Sequence, residues 1–226
     1  MAEGKILREL FLIRHAESRG NAGIDGEGIA DSADPLLTEL GVSQAEKLGL
    51  YWSNKITFDA VYSSGLRRAV ETANGIIEHQ PGSPELNILP DLCEIGVSPE
   101  YDGFTVEELK SLCPAAVPAD GTGDAGKLVI PDETPGENEK EYFQRAKRVL
   151  DYFEARYSSG EKLAVVSHAA FLTYLIFYII GCRDKEPYYD FTLSNTGVTR
   201  IIFYEEGTYP YGDVAFEGVN DLRHLV

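Results

Sequence analysis

Apolar residues run along this chain in two rhythms. Short runs such as Leu10–Ile13, Phe58–Ser63 and Leu163–Val166 are bounded by polar or turn residues, which is how strands covered on both faces read. Between them apolar positions recur at helical spacing. Val42, Ala45, Leu48 and Trp52 follow an N-cap candidate at Thr38, and Leu66, Ala69, Val70, Ala73, Ile76 and Ile77 follow the second run. A long helix presents Tyr142, Phe143, Ala146, Val149, Leu150, Phe153 and Tyr157. A short strand is expected at Leu86–Leu89, a buried helix after His168 that Gly181 ends, and a final long strand at Gly197–Tyr204. Strand and helix alternate, so the chain is expected to be α/β, with a mainly parallel sheet and helices on both faces.

Two stretches leave this alternation. Residues 20–35 are rich in Gly and Asp without a period and read as a long loop bordering a site. Residues 95–136 read as an insertion over the sheet. In it Thr105-Val106-Glu107-Glu108 is a capping-box signature for a short helix that Pro114 closes, and 114–136 read as loop. The expectation is one domain over residues 1–226, with about 95–136 as a mobile cap.

Composition narrows the setting. At 226 residues and 43% hydrophobic, the chain can bury one full core. It opens on charged residues rather than an apolar leader, and its most hydrophobic stretch, Ala169–Ile180, is 12 residues, too short to span a bilayer. Cys93, Cys113 and Cys182 are odd in number and widely spaced, which disfavours a disulfide framework or a CxxC metal site. A reducing cytoplasm is expected. The net charge of −17 argues against nucleic-acid or anionic-membrane partners. An anionic substrate would need a local cluster of cations.

That cluster has candidates. The first apolar run stops at Arg14-His15 and a later one at His168, and in open α/β sheets ligands sit at the carboxyl ends of strands. Arg67 and Arg68 lie in the first turn of a helix, where the dipole disfavours cations, so a shared anion there would compensate both. Phosphoryl transfer needs a nucleophile, donors for the equatorial oxygens and a proton source for the leaving oxygen. His15, Arg14, Arg68, His168 and Glu94 supply these types. There is no GxSxG elbow, no GxxxxGK[ST] loop and no HExxH spacing, so serine-hydrolase, P-loop and metal-hydrolase chemistries lack support. His79 is expected at the surface late in a helix, and His224 is expected to be structural.

The run Leu12-Ile13-Arg14-His15-Ala16-Glu17-Ser18, with Asn21 six residues past the histidine, resembles the Arg-His-Gly signature of the histidine phosphatase (phosphoglycerate-mutase-like) superfamily. Asp34-Pro35-Leu36-Leu37-Thr38-Glu39-Leu40-Gly41 with Gln44-Ala45 is similar to its next motif. Ser64-Gly65-Leu66-Arg67-Arg68-Ala69-Val70-Glu71-Thr72-Ala73 is similar to the following one and assigns the phosphate arginine to Arg68 rather than Arg67. Leu92-Cys93-Glu94 matches the acid position and Val165-Val166-Ser167-His168 the second histidine, with Pro135-Gly136-Glu137 and Asn195-Thr196 as lesser marks. The resemblance implies a three-layer sandwich, a phosphohistidine on His15, Arg14, Asn21, Arg68 and His168 as phosphate ligands, Glu94 as acid then base, and no metal or organic cofactor. Members usually carry glycine after each histidine. Ala16 and Ala169-Ala170 stand here instead, which implies a slightly narrower pocket.

The superfamily holds phosphatases and mutases. A glycerate mutase must hold a doubly anionic substrate, yet between Glu94 and Glu141 three lysines face twelve acids, and Ile95-Gly96-Val97-Ser98-Pro99 stands where mutases of the family carry a basic run. A histidine acid-type phosphatase acting on a small phosphomonoester is therefore expected. A cofactor-dependent phosphoglycerate mutase is the alternative, and a non-catalytic phosphate-binding scaffold the alternative of another class. Tyr101, Phe104 and the Tyr188-Tyr189 pair are candidates to line a leaving-group pocket or simply to pack.

Overall fold

A computed structural model describes residues 4–24, 26, 28–122, 128–130, 139–183 and 191–226. Its strands are β1 (Ile6–Arg14), β2 (Ala60–Ser63), β3 (Leu86–Ile88), β4 (Ala116–Pro118), β5 (Glu161–Ser167), β6 (Val198–Tyr204) and β7 (Val214–Asp221). Its helices are α1 (Gly28–Ala33), α2 (Glu39–Trp52), α3 (Arg67–Ile77), α4 (Val106–Leu109), α5 (Glu139–Glu154) and α6 (Ala169–Ile179). The strands form one sheet in the order β4-β3-β2-β5-β1-β6-β7, parallel from β4 to β1 and antiparallel at β6 and β7.

Both faces are covered, as the unbroken apolar runs require. Side chains alternate along a strand, so Phe11, Ile13, Val61, Ala164 and Val166 pack against α2 and α3 on one face. Leu10, Leu12, Tyr62, Leu163 and Val165 pack against α5 and α6 on the other. Sheet and two helical layers make the three-layer sandwich. Thr38 caps α2 by accepting from the Gly41 N–H at 3.0 Å, and the capping box at Thr105 and Glu108 opens α4. Gly181 ends α6 with φ +90°, a conformation that suits glycine.

Register is what builds the site. Arg14 lies opposite Ser167 across β1–β5, and Ser63 opposite Val166 across β2–β5. Three neighbouring strands therefore end level and deliver His15, His168 and Ser64 to one edge. Beyond β3, a 3₁₀ turn at Pro90–Leu92 carries the chain across to Glu94.

Several expectations need correction. β1 begins four residues early, because charged Arg8 and Glu9 are buried by partners distant in sequence. The Arg8 guanidinium lies over the Phe203 ring at 4.7 Å, and Glu9 accepts from Arg200 at 2.6 Å. The stretch 20–35 holds the short helix α1, and 114–136 holds β4, a three-residue edge strand. Gly197–Tyr204 does not contain the last strand: β7 follows, its pattern broken by Gly218 and charged residues. Val42 faces solvent, while Ala45, Leu48 and Trp52 are buried. Cys93, Cys113 and Cys182 are free thiols. Among the described residues no helix is long and apolar enough to cross a membrane.

Candidate active site

The imidazoles of His15 and His168 lie with ring centroids 5.0 Å apart, both buried. His15 Nδ1 stands 2.7 Å from the Ala16 carbonyl oxygen, which can only accept, so Nδ1 carries the proton. Nε2 is left with the ring's lone pair, and the Arg68 Nε–H donates to it at 3.2 Å. Burial first, then the charge of Arg68, hold His15 well below its ordinary value, so the ring is neutral at neutral pH.

His168 is held the same way. Its Nε2 lies 2.7 Å from Ser64 Oγ, which also accepts from the Leu66 N–H at 3.3 Å. Burial and the Arg68 charge push it, too, well below the ordinary value. His168 Nδ1 is buried without a hydrogen-bond partner, and so is Arg14 Nε. Arg14 is anchored by its other arm, Nη1 donating to the Leu193 carbonyl at 2.6 Å.

Two adjacent arginines at the start of α3 called for a shared anion, and the chain itself provides one. Asp34 is fully buried and accepts from the Arg67 backbone N–H at 2.9 Å, from Arg68 Nη1 at 3.3 Å and from the Tyr101 hydroxyl at 2.8 Å. Arg67 turns away from the histidines to Asp31 at 2.7 Å and stacks on Phe104. Burial raises the Asp34 carboxyl, and Arg68 pulls against it. A helix N-terminus binding an anion is ordinary physics. Here the anion is a side chain, and Arg68 alone of the pair faces His15.

Glu94, half-buried, sits on the N-terminus of α6, its carboxylate accepting from the Phe171 N–H at 3.0 Å, the Ala170 N–H at 3.4 Å and its neighbour Ile95 N–H at 2.9 Å. It lines, with Arg68, an open cleft of about 710 Å³. Asn21 is exposed; its Oδ1 accepts from Asn195 Nδ2 at 3.0 Å, which also reaches the His15 carbonyl at 2.9 Å. The Asn21 Nδ2 takes no part in this contact. A second cavity of about 170 Å³, beside Trp52 and His224, contains none of these residues.

Ala16 and Ala169-Ala170 impose no backbone strain, since none has a positive φ. Ala16 is tied by its N–H to Thr72 Oγ1 at 2.9 Å and packs on Leu37 and Ala45. His224 is buried on Thr196 Oγ1 at 2.8 Å, a structural place as expected. Tyr101 is buried on Asp34 rather than presented to a ligand. Pro135-Gly136-Glu137 and Tyr188-Tyr189 lie outside the described residues. Asp34 and Ser64 are the residues whose work the sequence motifs did not reveal. An arginine pair in a helix's first turn was the signal for an anion, but not for its source.

The described residues contain no group of acidic, histidine and cysteine side chains arranged to hold a metal. The arrangement is chemically that of a neutral imidazole, unprotonated at Nε2, beside guanidinium and imidazole groups, with a carboxyl group at the cleft.

The chain is similar to several known proteins. The profile of the histidine phosphatase superfamily (branch 1) matches residues 10–210. Fructose-2,6-bisphosphatase TIGAR of Xenopus tropicalis is 35% identical over 149 residues, 63% of this chain and 48% of that protein. Mitochondrial serine/threonine-protein phosphatase Pgam5 of Caenorhabditis briggsae is 28% identical over 96% of this chain and 64% of its own length. The chain thus spans about half of the first and under two thirds of the second. Among solved structures, phosphoserine phosphatase of Entamoeba histolytica, in complex with 3-phosphoglyceric acid, is 27% identical with a TM-score of 0.63, over 97% of this chain and all of that one. Phosphoglycerate mutase of Bacillus anthracis shares the fold, at 21% identity and a TM-score of 0.60, over 99% of this chain and 97% of that one.

Proposed function

Because the chain belongs to the histidine phosphatase superfamily (branch 1), we propose that it hydrolyses small phosphomonoesters through a phosphohistidine on His15, without a metal, in the cytoplasm. The observation that carries this reading is the His15 tautomer: Nδ1–H spent on the Ala16 carbonyl leaves Nε2 as the attacking atom. We read residues 1–226 as one catalytic domain, with about 95–136 as its cap.

In the first step the Nε2 lone pair attacks phosphorus. The N–P bond forms as the P–O ester bond breaks, and protonated Glu94 gives its proton to the leaving oxygen, as in a histidine acid-type phosphatase. In the second step the Glu94 carboxylate takes a proton from water, whose oxygen attacks phosphorus. The N–P bond breaks, its electron pair returns to Nε2, and phosphate leaves. Arg14, Arg68, Asn21 and His168 bind the phosphoryl oxygens. Arg14 Nε and His168 Nδ1, buried without partners, gain acceptors there. The Ser64 hydroxyl, by donating to His168 Nε2, keeps the proton on Nδ1.

The acidic cleft supports hydrolysis over mutase activity, since Glu94 and Glu100 line it with Arg68. The test is acid-quenched enzyme mixed with labelled substrate. Label bound to protein, stable to base, released by acid and absent in His15→Ala is the expected result. Undiminished turnover in His15→Ala would refute the assignment. Glu94→Gln should slow esters with poor leaving groups by about 10²–10⁴-fold and activated aryl phosphates far less. Chelators should leave the rate unchanged.

A further inference from the structure

We propose that this cleft selects phosphomonoesters whose alcohol carries no negative charge, whether neutral or cationic, and that Glu100 is a specificity-determining residue. The inference rests on the phosphatase reading above and follows where the cations are committed. Arg67 is spent on Asp31 and Asp34 and stacks on Phe104. Arg68 gives Nη1 to Asp34 and Nε to His15, and Arg14 gives Nη1 to the Leu193 carbonyl. What remains of Arg14 and Arg68 suffices for one phosphoryl group.

The leaving group then meets a different wall. Among the described residues lining the cleft, Arg68 is the one cation, Glu94 is the proton donor, Glu100 is a further acidic side chain, and the rest are small, apolar or hydroxyl side chains such as Gly96, Ile95, Val97, Ser32 and Ser98. Arg19 lies in the adjoining pocket with Asp31, whose carboxyl is lowered by the hydrogen bond and charge of Arg67 first and by Arg19 last. Glu100 is exposed at the cleft, and its main-chain N–H is donated to Ser98 Oγ at 3.3 Å. A carboxylate or second phosphate on the substrate would face Glu100 with no cation beyond Arg68 to offset it among the described residues lining the cleft, whereas an ammonium group would be attracted. The net charge of −17 biases approach in the same direction.

The test compares kcat/KM for choline phosphate, glycerol 3-phosphate and 3-phosphoglycerate, three small esters with cationic, neutral and anionic alcohols. Choline phosphate should exceed 3-phosphoglycerate by about tenfold at low salt, with the gap narrowing at high salt as screening shortens the field. Glu100→Lys should shrink that ratio about fivefold or more, and Glu100→Gln by less. Equal kcat/KM for the cationic and anionic esters, or a ratio unmoved by Glu100→Lys, would overturn the proposal. p-Nitrophenyl phosphate is assayed alongside. Turnover of it that His15→Ala abolishes means that a failure belongs to the selectivity alone. No turnover of it by the wild type sinks the phosphatase reading and this inference with it.

Discussion

At His15 the proton sits on Nδ1 because an acceptor stands 2.7 Å away, and burial, then the charge of Arg68, keep Nε2 from taking a second one. His168 depends on Ser64 in the same manner, and that dependence can be measured. Ser64→Ala leaves a buried ring nitrogen unpaired and should cost about 1–3 kcal/mol in urea denaturation, together with a fall in kcat. Unchanged stability would mean that the serine contact contributes nothing. Asp34→Ala should be worse, about 3–5 kcal/mol, since it strips the counter-ion from buried Arg68 and the acceptor from Tyr101. The site histidines were legible from their places at strand ends. Asp34 was not, because a carboxylate 34 residues before Arg68 becomes its partner only when the loop ahead of α2 folds back over α3.

At the scale of elements, the site hangs on the seating of α3, which carries Arg68 and Thr72. This helix packs on α2 so closely that a Cβ on Gly49 would come within 2.1 Å of the Gly75 carbonyl oxygen. Gly49→Ala must push the two helices apart. A loss of about 1–3 kcal/mol is expected, seen as a lower Tm, with a parallel drop in activity as Arg68 shifts. A variant as stable and active as the wild type would contradict that close approach. Helix periodicity located α2, α3 and α5, since each shows one buried face, while α6 was legible as a largely apolar run ended by Gly181. The edge strands, three-residue β4 and eight-residue β7, escaped it, because an edge strand needs no long apolar run to be paired.

For the whole molecule, three buried histidines make stability depend on pH. His15 and His168 are held well below 6.5 by burial, and His224 is lowered to about 4 for the same reason. In the unfolded chain each protonates near pH 6.5, so below that the unfolded state binds more protons and stability falls with falling pH. Each histidine should contribute a slope of about 1.4 kcal/mol per pH unit, for His224 down to about pH 4. Raised Asp34 and Glu71 act with the opposite sign, in a window that opens near pH 4. Urea denaturation at pH 7 and 5.5 should show lower stability at 5.5, and equal stabilities would show that the buried neutral histidines do not outweigh Asp34 and Glu71 in this window. The sequence by itself determined the α/β layering, the strand-end histidines and the acidic character of residues 94–141, because periodicity, turn residues and charge are local properties. Only the tertiary structure decided which strands lie side by side, that Arg67 turns to Asp31 and Asp34, and that Asp34, Ser64 and Tyr101 hold the site. Those outcomes depend on contacts between residues far apart in the chain, and no local pattern encodes the partner of a buried charge.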